Sequence, residues 1–352
     1  MSLKVEVPDG NCVFYPGSVI AGKVVLVASD PIKYRSVYLI FKGRCYVMWK
    51  DGRRRFVSTC DLFTIRADLL IGPLAGQPSP SPGATQFILP PNTYEFPFSI
   101  AVPSGHLPST YLEPFSFLDQ KQAYIKYSFE ARVDRPWWFD ITAELSINIH
   151  DLVDLNLGQF TRPLRASTEK TICCLCCASG PVSIEAMIDR SGYTCGENIL
   201  VTLNVENHSR RTLPGTYAQL MCRIIYSCRG RVRVTEKCVS KMTGTQRDIQ
   251  PGQSVHWDQQ PLAIPQGLLP TSTDFPIISF EYYVMVVVDT PRYSLSPDLR
   301  IPVVIGNVPI LQRGQQFNLP NVAILEFASE AADLTDDEPQ RNEQSPLLHF
   351  IN

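Results

Sequence analysis

Four cysteines within five residues, Cys173-Cys174-Leu175-Cys176-Cys177, form the densest reactive group in this 352-residue chain. They make two overlapping C-x-x-C pairs, 173/176 and 174/177. Adjacent cysteines splay apart, so at most two or three could reach one zinc ion, and no second ligand cluster completes a tetrahedral site. Three uses remain: buried or half-buried thiols at a domain junction, S-palmitoylation beside a membrane-facing hinge, or metal or redox use. Cys173, Cys174, Cys176 and Cys177 are the acylation candidates.

The other arrays that could do chemistry are incomplete. Gly17-Ser18-Val19-Ile20-Ala21-Gly22-Lys23-Val24 imitates a phosphate-binding loop, but Val24 stands where a magnesium-binding hydroxyl is required. The β-branched Val19 and Ile20 also run on into a strand rather than a helix, which removes the amide cradle. None of His106, His150, His208, His256 and His349 sits in a metalloprotease spacing, and no serine-nucleophile elbow is present. The expectation is a non-enzyme with no catalytic residues, no metal and no cofactor.

Charge is the better guide. Between Lys42 and Arg55 lie six basic residues (42, 44, 50, 53, 54, 55) and one acid, Asp51, a formal +5. Between Arg223 and Lys241 lie six more (223, 229, 231, 233, 237, 241) and one acid, Glu236, again +5. Such hairpins are either solvated strand edges or recognition surfaces for acidic or phosphorylated segments and anionic lipid heads. In the second case Arg53, Arg54, Arg55, Arg229, Arg231 and Arg233 make the contacts. From Glu326 to Glu343, seven acids face a single Arg341, which marks a tail able to dock on the same basic patches. Within that tail, Glu343-Gln344-Ser345-Pro346-Leu347-Leu348 has the form of an acidic dileucine signal. It would pair Glu343 and fill an apolar groove of a clathrin adaptor with Leu347 and Leu348.

The elements that must position these residues read as strands. Ile125, Tyr127, Phe129, Ala131 and Val133 alternate with polar residues, as do Ile141 to Ile149 and Val182 to Ile188. Each segment buries one face and wets the other. The second half also repeats the first in order. Gly17 returns as Gly196, Val102-Pro103 as Ile264-Pro265, and Tyr127 as Tyr282, at offsets of 179, 162 and 155. Most of the shortening fits one Pro/Ser/Gly insert, 72–86, in the first copy. Two copies of this size are two domains. The fold expected is all-β: two tandem antiparallel sandwiches over 1–165 and 179–308, a polar linker 166–178 carrying the cysteines, and an acidic tail 309–352.

Composition sets the bounds. Hydrophobic content of 44% with 19% charged residues suits a folded chain. The net charge of −2 argues against a general nucleic-acid binder. The N-terminus alternates like a strand and lacks the apolar core of a signal peptide. The most apolar stretch, Ile277 to Val288, is interrupted by Glu281 and too short to span a bilayer. Eleven cysteines, an odd number crowded in one place, make a poor disulfide framework. A cytoplasmic protein with reduced thiols follows, in which the sequon Asn207-His208-Ser209 goes unused. An extracellular pair of sandwiches would need the signal peptide and paired cysteines that this sequence does not display.

Gly17 to Leu26, Pro90-Pro91-Asn92-Thr93-Tyr94-Glu95-Phe96-Pro97-Phe98, Leu107-Pro108-Ser109, Tyr124 to Tyr127 and Val133-Asp134-Arg135-Pro136 form one ordered series. Thr171 to Cys174, Ser179 to Ser183, Gly192-Tyr193, Gly196-Glu197 and Pro302 to Gly306 continue it. Across residues 1–308 this series resembles the arrestin-domain-containing proteins, the α-arrestins. The resemblance implies the arrestin pair of β-sandwiches and an adaptor that sorts membrane receptors or transporters at plasma membrane and endosomes. It also implies membrane cargo tails as partners and HECT-type ubiquitin ligases reached through P-P-x-Y motifs. This chain departs from that pattern. Its nearest string, Pro90-Pro91-Asn92-Thr93-Tyr94, has one residue too many and precedes a strand, so a direct ligase link is not expected. Phe275 stands where a thioredoxin-binding branch of the family carries a cysteine, so no redox role is expected either. A structural subunit of a retromer-like coat is the alternative that uses the same tandem sandwiches.

Overall fold

The computed structural model describes residues 1–8, 13–74, 86–116, 121–174, 177–273, 275–290 and 296–311. The first half supplies β1 (Ser2–Glu6), β2 (Val13–Phe14), β3 (Val19–Ala28), β4 (Ile32–Tyr34), β5 (Ser36–Asp51) and β6 (Arg54–Ile71). It continues with β7 (Phe87–Leu89), β8 (Asn92–Ala101), β9 (Tyr111–Ser116), β10 (Lys121–Asp134) and β11 (Ile141–Ile149). The second half supplies β12 (Leu164–Cys174), β13 (Cys177–Ile188), β14 (Gly192–Thr194), β15 (Asn198–Asn207) and β16 (Thr216–Cys228). β17 (Arg231–Thr243), β18 (Ser254–Ala263), β19 (Ile278–Val288) and β20 (Asp298–Gly306) complete it. The architecture is the expected all-β tandem.

The sequence repeat is a repeat of topology. In the first sandwich one sheet runs β2-β11-β10-β5-β6, with β9 added on β10; in the second the corresponding sheet runs β14-β20-β19-β16-β17. Both open on a short parallel pair, β2 with β11 and β14 with β20. The facing sheets are β1-β3-β8 and β12-β13-β15-β18. Matched hydrogen bonds lock the copies: Tyr127 donates to Pro108 O at 2.6 Å, and Tyr282 to Leu269 O at 2.8 Å. Thr110 and Thr271 accept from the amides of Ile149 and Ile305 at 2.9 and 2.8 Å. A tyrosine hydroxyl buried at such a corner must find a partner, and both find the same backbone step.

Period-two burial follows the sequence closely. On β10 the side chains of Ala123, Ile125, Tyr127, Phe129, Ala131 and Val133 are buried. β19 is buried on most of both faces, which explains why its sequence is nearly continuously apolar. Phe41 stacks on Phe129, with Phe98 on the opposite sheet closing over it, at 4.6 and 5.1 Å between ring centroids.

The connection between the sandwiches differs from expectation. Residues 164–174, read as mostly linker, are the edge strand β12, paired along β13 from Leu164↔Ile188 to Cys174↔Cys177. Leu164, Ala166 and Thr168 are half-buried while Arg165, Ser167 and Glu169 are exposed. An edge strand whose inward positions are small or hydroxylic carries almost no hydrophobic period, so it reads as polar linker. The true connector is 150–163, ending in a short 3-10 turn at Gly158–Thr161. The chain after β20 clasps it: Asn307 Oδ1 accepts from Val153 N at 2.8 Å, and Asn307 Nδ2 donates to Asp151 O at 2.6 Å.

Candidate interaction surface at the domain junction

The two basic hairpins predicted separately meet in space. The β5–β6 hairpin turns through Gly52 and Arg53, and Arg53, Arg54 and Arg55 at its end are exposed. The β16–β17 hairpin turns through Arg229 and Gly230, at φ 48° and 74°. Two successive residues at positive φ match the twist of a tight two-residue turn, and glycine at the second makes it accessible. Arg231, just past that turn, places its guanidinium 5.5 Å from the ring centroid of Phe56, which follows Arg55. One basic surface therefore spans both domains.

Only the hairpin ends are available to a ligand. Lys42 is tied to Glu130 at 2.5 Å, Arg44 to Asp61 at 2.6 Å, and Arg223 to Glu281 at 3.5 Å. Lys241 lies 3.8 Å over the ring of Tyr217. The formal +5 of each hairpin thus overstates its reach, because carboxylates on paired strands neutralise the stems: Asp61 on β6 of the same hairpin, Glu130 on β10 and Glu281 on β19. Among the described residues Lys50, Arg53, Arg54, Arg55, Arg229 and Arg231 have no carboxylate within salt-bridge distance. Arg233 lies close enough to Lys121 for their charges to repel. Val232 and Val234, 62% and 40% exposed, add apolar surface beside these cations.

Beneath the hairpin ends lies a polar cluster that sequence inspection missed. Lys121, 2% exposed, opens β10. Its Nζ donates to Tyr226 OH at 3.3 Å and Thr235 Oγ1 at 3.0 Å, and pairs with Glu113 Oε1 at 3.3 Å. Glu113 also pairs with Lys237 at 3.4 Å and accepts from the hydroxyls of Tyr226, at 3.2 Å, and Tyr111. Residues 111, 113 and 121 belong to the first sandwich and 226, 235 and 237 to the second, so this cluster joins the domains. Burial pulls the Lys121 ammonium below its ordinary range against the opposing pull of Glu113. Burial pushes the Glu113 carboxyl up, but Tyr111, Lys121 and Lys237 outweigh it and hold it low. The signal was present in the sequence: Lys121 shares inward parity with Ala123, Ile125 and Tyr127, and a lysine in that register must find a partner.

A second feature is the groove along β1, an edge strand of its sheet. It encloses about 660 Å³ between Lys4, Glu6, Val7, Lys23, Pro97 and Leu145. Lys4 pairs with Glu6 and Lys23 with Glu95, at 2.9 and 2.8 Å, so its walls are charge-balanced.

The remaining sequence candidates resolve unequally. Cys173 and Cys174 end β12 and Cys177 begins β13, with Cys174 directly opposite Cys177, so the cluster caps a hairpin rather than a linker. Leu175 and Cys176 lie outside the described residues, as do the acidic run and Glu343, Leu347 and Leu348. The imitation phosphate loop is a turn followed by β3. Tyr94 of the near P-P-x-Y string is 8% exposed and donates to Pro90 O at 2.8 Å, so it cannot serve as a peptide ligand in this fold. Asn207 of the sequon is 1% exposed, its amide donating to Arg211 O and Ile249 O. Among the described residues no group of three or more His, Cys, Asp or Glu side chains could hold a metal ion. Among the same described residues no helix is long and apolar enough to cross a membrane.

Comparison with known proteins adds the family. The arrestin (or S-antigen) N-terminal domain matches residues 3–156, and the arrestin (or S-antigen) C-terminal domain matches residues 178–310. Human arrestin domain-containing protein 4 is 28% identical over 333 residues, 94% of this chain and 76% of that protein. Mouse thioredoxin-interacting protein is 27% identical over 309 residues, 87% of this chain and 73% of that protein. The human thioredoxin-interacting protein is likewise 27% identical over 309 residues.

Proposed function

Because the chain belongs to the arrestin family, on its α-arrestin side and across both domains, we propose that it is a non-catalytic cytoplasmic adaptor. It sorts membrane receptors or transporters, working at the plasma membrane and endosomes. The observation that carries this reading is the merging of two basic hairpin ends into one surface across the domain junction, with exposed valines beside the arginines. An acidic or phosphorylated cargo tail of extended backbone supplies the complementary charge and can fill the apolar gap.

Within this reading the acidic tail competes for the same arginines and holds the protein inactive until cargo displaces it. Glu343, Leu347 and Leu348 then engage a clathrin adaptor. HECT-type ubiquitin ligases, if engaged, must be reached without the buried Tyr94. The cysteine hairpin is the candidate site of lipidation.

Proximity labelling in cells that express the intact chain tests the proposal. It is compared with two variants, one carrying Leu347→Ala and Leu348→Ala, the other carrying charge reversals at Arg53, Arg55, Arg229 and Arg231. The expected pattern is loss of clathrin adaptors in the first and loss of membrane cargo in the second. A fixed set of coat subunits labelled equally by all three would replace the adaptor with a structural coat component.

A further inference from the structure

Three consecutive aromatic residues stand bare at the far end of the first sandwich. Trp137, Trp138 and Phe139, in the β10–β11 turn, are 91%, 75% and 91% exposed. Contiguous exposure of this kind is unusual on a soluble surface and marks an interaction site. The backbone adds a second observation. Trp137 sits at φ 68°, in the left-handed region where glycine or asparagine is at ease and a bulky side chain is strained. With its ring in solvent, Trp137 recovers none of that strain by packing inside the chain. The turn keeps tryptophan for something outside the fold.

From these observations we propose that the Trp137-Trp138-Phe139 turn is a membrane-inserting tip that seats the first sandwich on the interfacial layer of a phospholipid bilayer. The geometry favours a flat fluid surface over a protein pocket. The register sets Asp134 opposite Ser36 and Ser36 opposite Ile71, so Ile71, itself 71% exposed, emerges at the same end of the sheet. Ile88, 49% exposed, lies opposite Lys33 on the neighbouring strand pair. Apolar side chains from the β10–β11 turn, the end of β6 and β7 thus share one end of the domain, an arrangement suited to a plane. Indole rings prefer the headgroup level, where the ring is buried and the N–H still meets polar partners.

Charge refines the choice of lipid. A recess of about 490 Å³ opens beside the rings between Pro31, Lys33, Arg135 and Trp138. Neither Lys33 nor Arg135 has a carboxylate within salt-bridge distance among the described residues, and the Arg135 guanidinium donates to Phe139 O. The Lys33 ammonium and the guanidinium hydrogens of Arg135 not given to Phe139 O can meet a lipid phosphate. Asp30 and Asp140 nearby keep the local charge close to balance, so insertion is driven by the rings and needs no anionic lipid. The arginine ends at the domain junction lie at the other end of β5, some 50 Å away by strand length, so the two contacts are separable. The inference rests on the reading of a protein that works at membranes. Its failure would leave peptide binding at the junction intact, so the two fail independently.

The chain's own tryptophans provide the probe. Of its four, Trp49 and Trp257 are 4% and 5% exposed, so lipid-induced changes in emission report Trp137 and Trp138. The full chain is mixed with zwitterionic phosphatidylcholine vesicles, with and without bromine on the acyl chains. Emission should shift to the blue and be quenched by the bromines, and the protein should float with the vesicles. The variant Trp137→Ser, Trp138→Ser, Phe139→Ser should partition at least about tenfold less, with its thermal midpoint unchanged or raised because it loses no packing. Equal flotation of variant and intact protein overturns the proposal, as does absence of quenching. A blue shift that appears without lipid and grows with protein concentration also overturns it, by assigning the tip to a second copy of the chain.

Discussion

The guanidinium of Arg231, in the second sandwich, lies 5.5 Å from the ring centroid of Phe56 in the first. That contact makes one surface of two hairpin ends separated by about half the sequence. It predicts that the ends act on the same ligand. Reversing charge at Arg53 and Arg55, or at Arg229 and Arg231, should each weaken binding of an acidic phosphopeptide by about tenfold or more, with a shallower salt dependence. Combining the reversals should lose less than the sum of the separate effects. Titration by fluorescence anisotropy at two salt concentrations decides it, and independent additive losses would separate the hairpins again.

Lys121 is enclosed by Glu113, Tyr226 and Thr235 at 3.0 to 3.3 Å. Lys121→Met keeps the stem but leaves Glu113 with one cation fewer in a half-buried site. Stability should fall by about 3 kcal/mol, the low end of the range for breaking a buried pair from one side, because Lys237 still pairs with Glu113. Tyr226→Phe should lose about 1–2 kcal/mol, because its hydroxyl serves both Lys121 and Glu113. Differential scanning calorimetry should show one transition for the intact chain and a broadened or split one for Lys121→Met, since the cluster ties one domain to the other.

The same cluster sets a pH dependence whose sign follows from Glu113. Its folded carboxyl lies below the ordinary value of 4.5. The unfolded chain therefore binds the proton first as pH falls, and stability is present above that value and lost through the folded one. Glu130, Glu197 and Asp298 are also held low and act in the same direction. Glu113→Gln should lower stability at neutral pH, where Lys121 and Lys237 lose their shared carboxylate, and flatten the acid limb without abolishing it. Denaturant midpoints measured from neutral pH to below 4.5 test this; an unchanged slope in the variant would take Glu113 out of the linkage.

At Gly22 a Cβ would fall 2.5 Å from Glu6 O and 2.7 Å from the ring of Phe98. Gly22→Ala should push β1 off β3, at about 1–3 kcal/mol, and distort the groove beside it. Amide exchange should rise selectively in 2–6, with 298–306 unaffected. Uniform exchange across both domains would mean that β1 yields without moving.

Acyl-exchange labelling addresses the cysteine hairpin. Hydroxylamine-sensitive label on the intact protein, abolished when Cys173, Cys174, Cys176 and Cys177 are all changed to serine, is the outcome expected of a lipidated hairpin end. Label that persists in the serine variant would move the modification to another cysteine.

Much of the fold was legible in the order of residue types. Alternation in 125–133, 141–149 and 182–188 is a backbone property, because side chains on a strand point to opposite faces whatever they pack against. The repeat of Gly17, Val102 and Tyr127 as Gly196, Ile264 and Tyr282 survived for the same reason: turns and corner tyrosines satisfy local needs that each copy must meet. Edge strand β12 escaped because its inward positions carry Leu164, Ala166 and Thr168, which leave little contrast with their exposed neighbours. The exposed Trp137 escaped because composition does not say which aromatic residues a core has left outside.

The sequence by itself determined that this chain makes two related β-sandwiches with arginine-rich hairpins, and that residues 326–343 are rich in acid, since local periodicity and formal charge need no partner to be read. Only the tertiary structure decided which charges are spent and which are offered. Glu130, Asp61 and Glu281 reach the hairpin stems from strands 17 to 88 residues away, and the hydrogen bonds of Lys121 to Tyr226 and Thr235 draw the free ends together. Coulomb energy depends on distance and burial, and both are set by how the sheets pack rather than by the order of the residues along the chain.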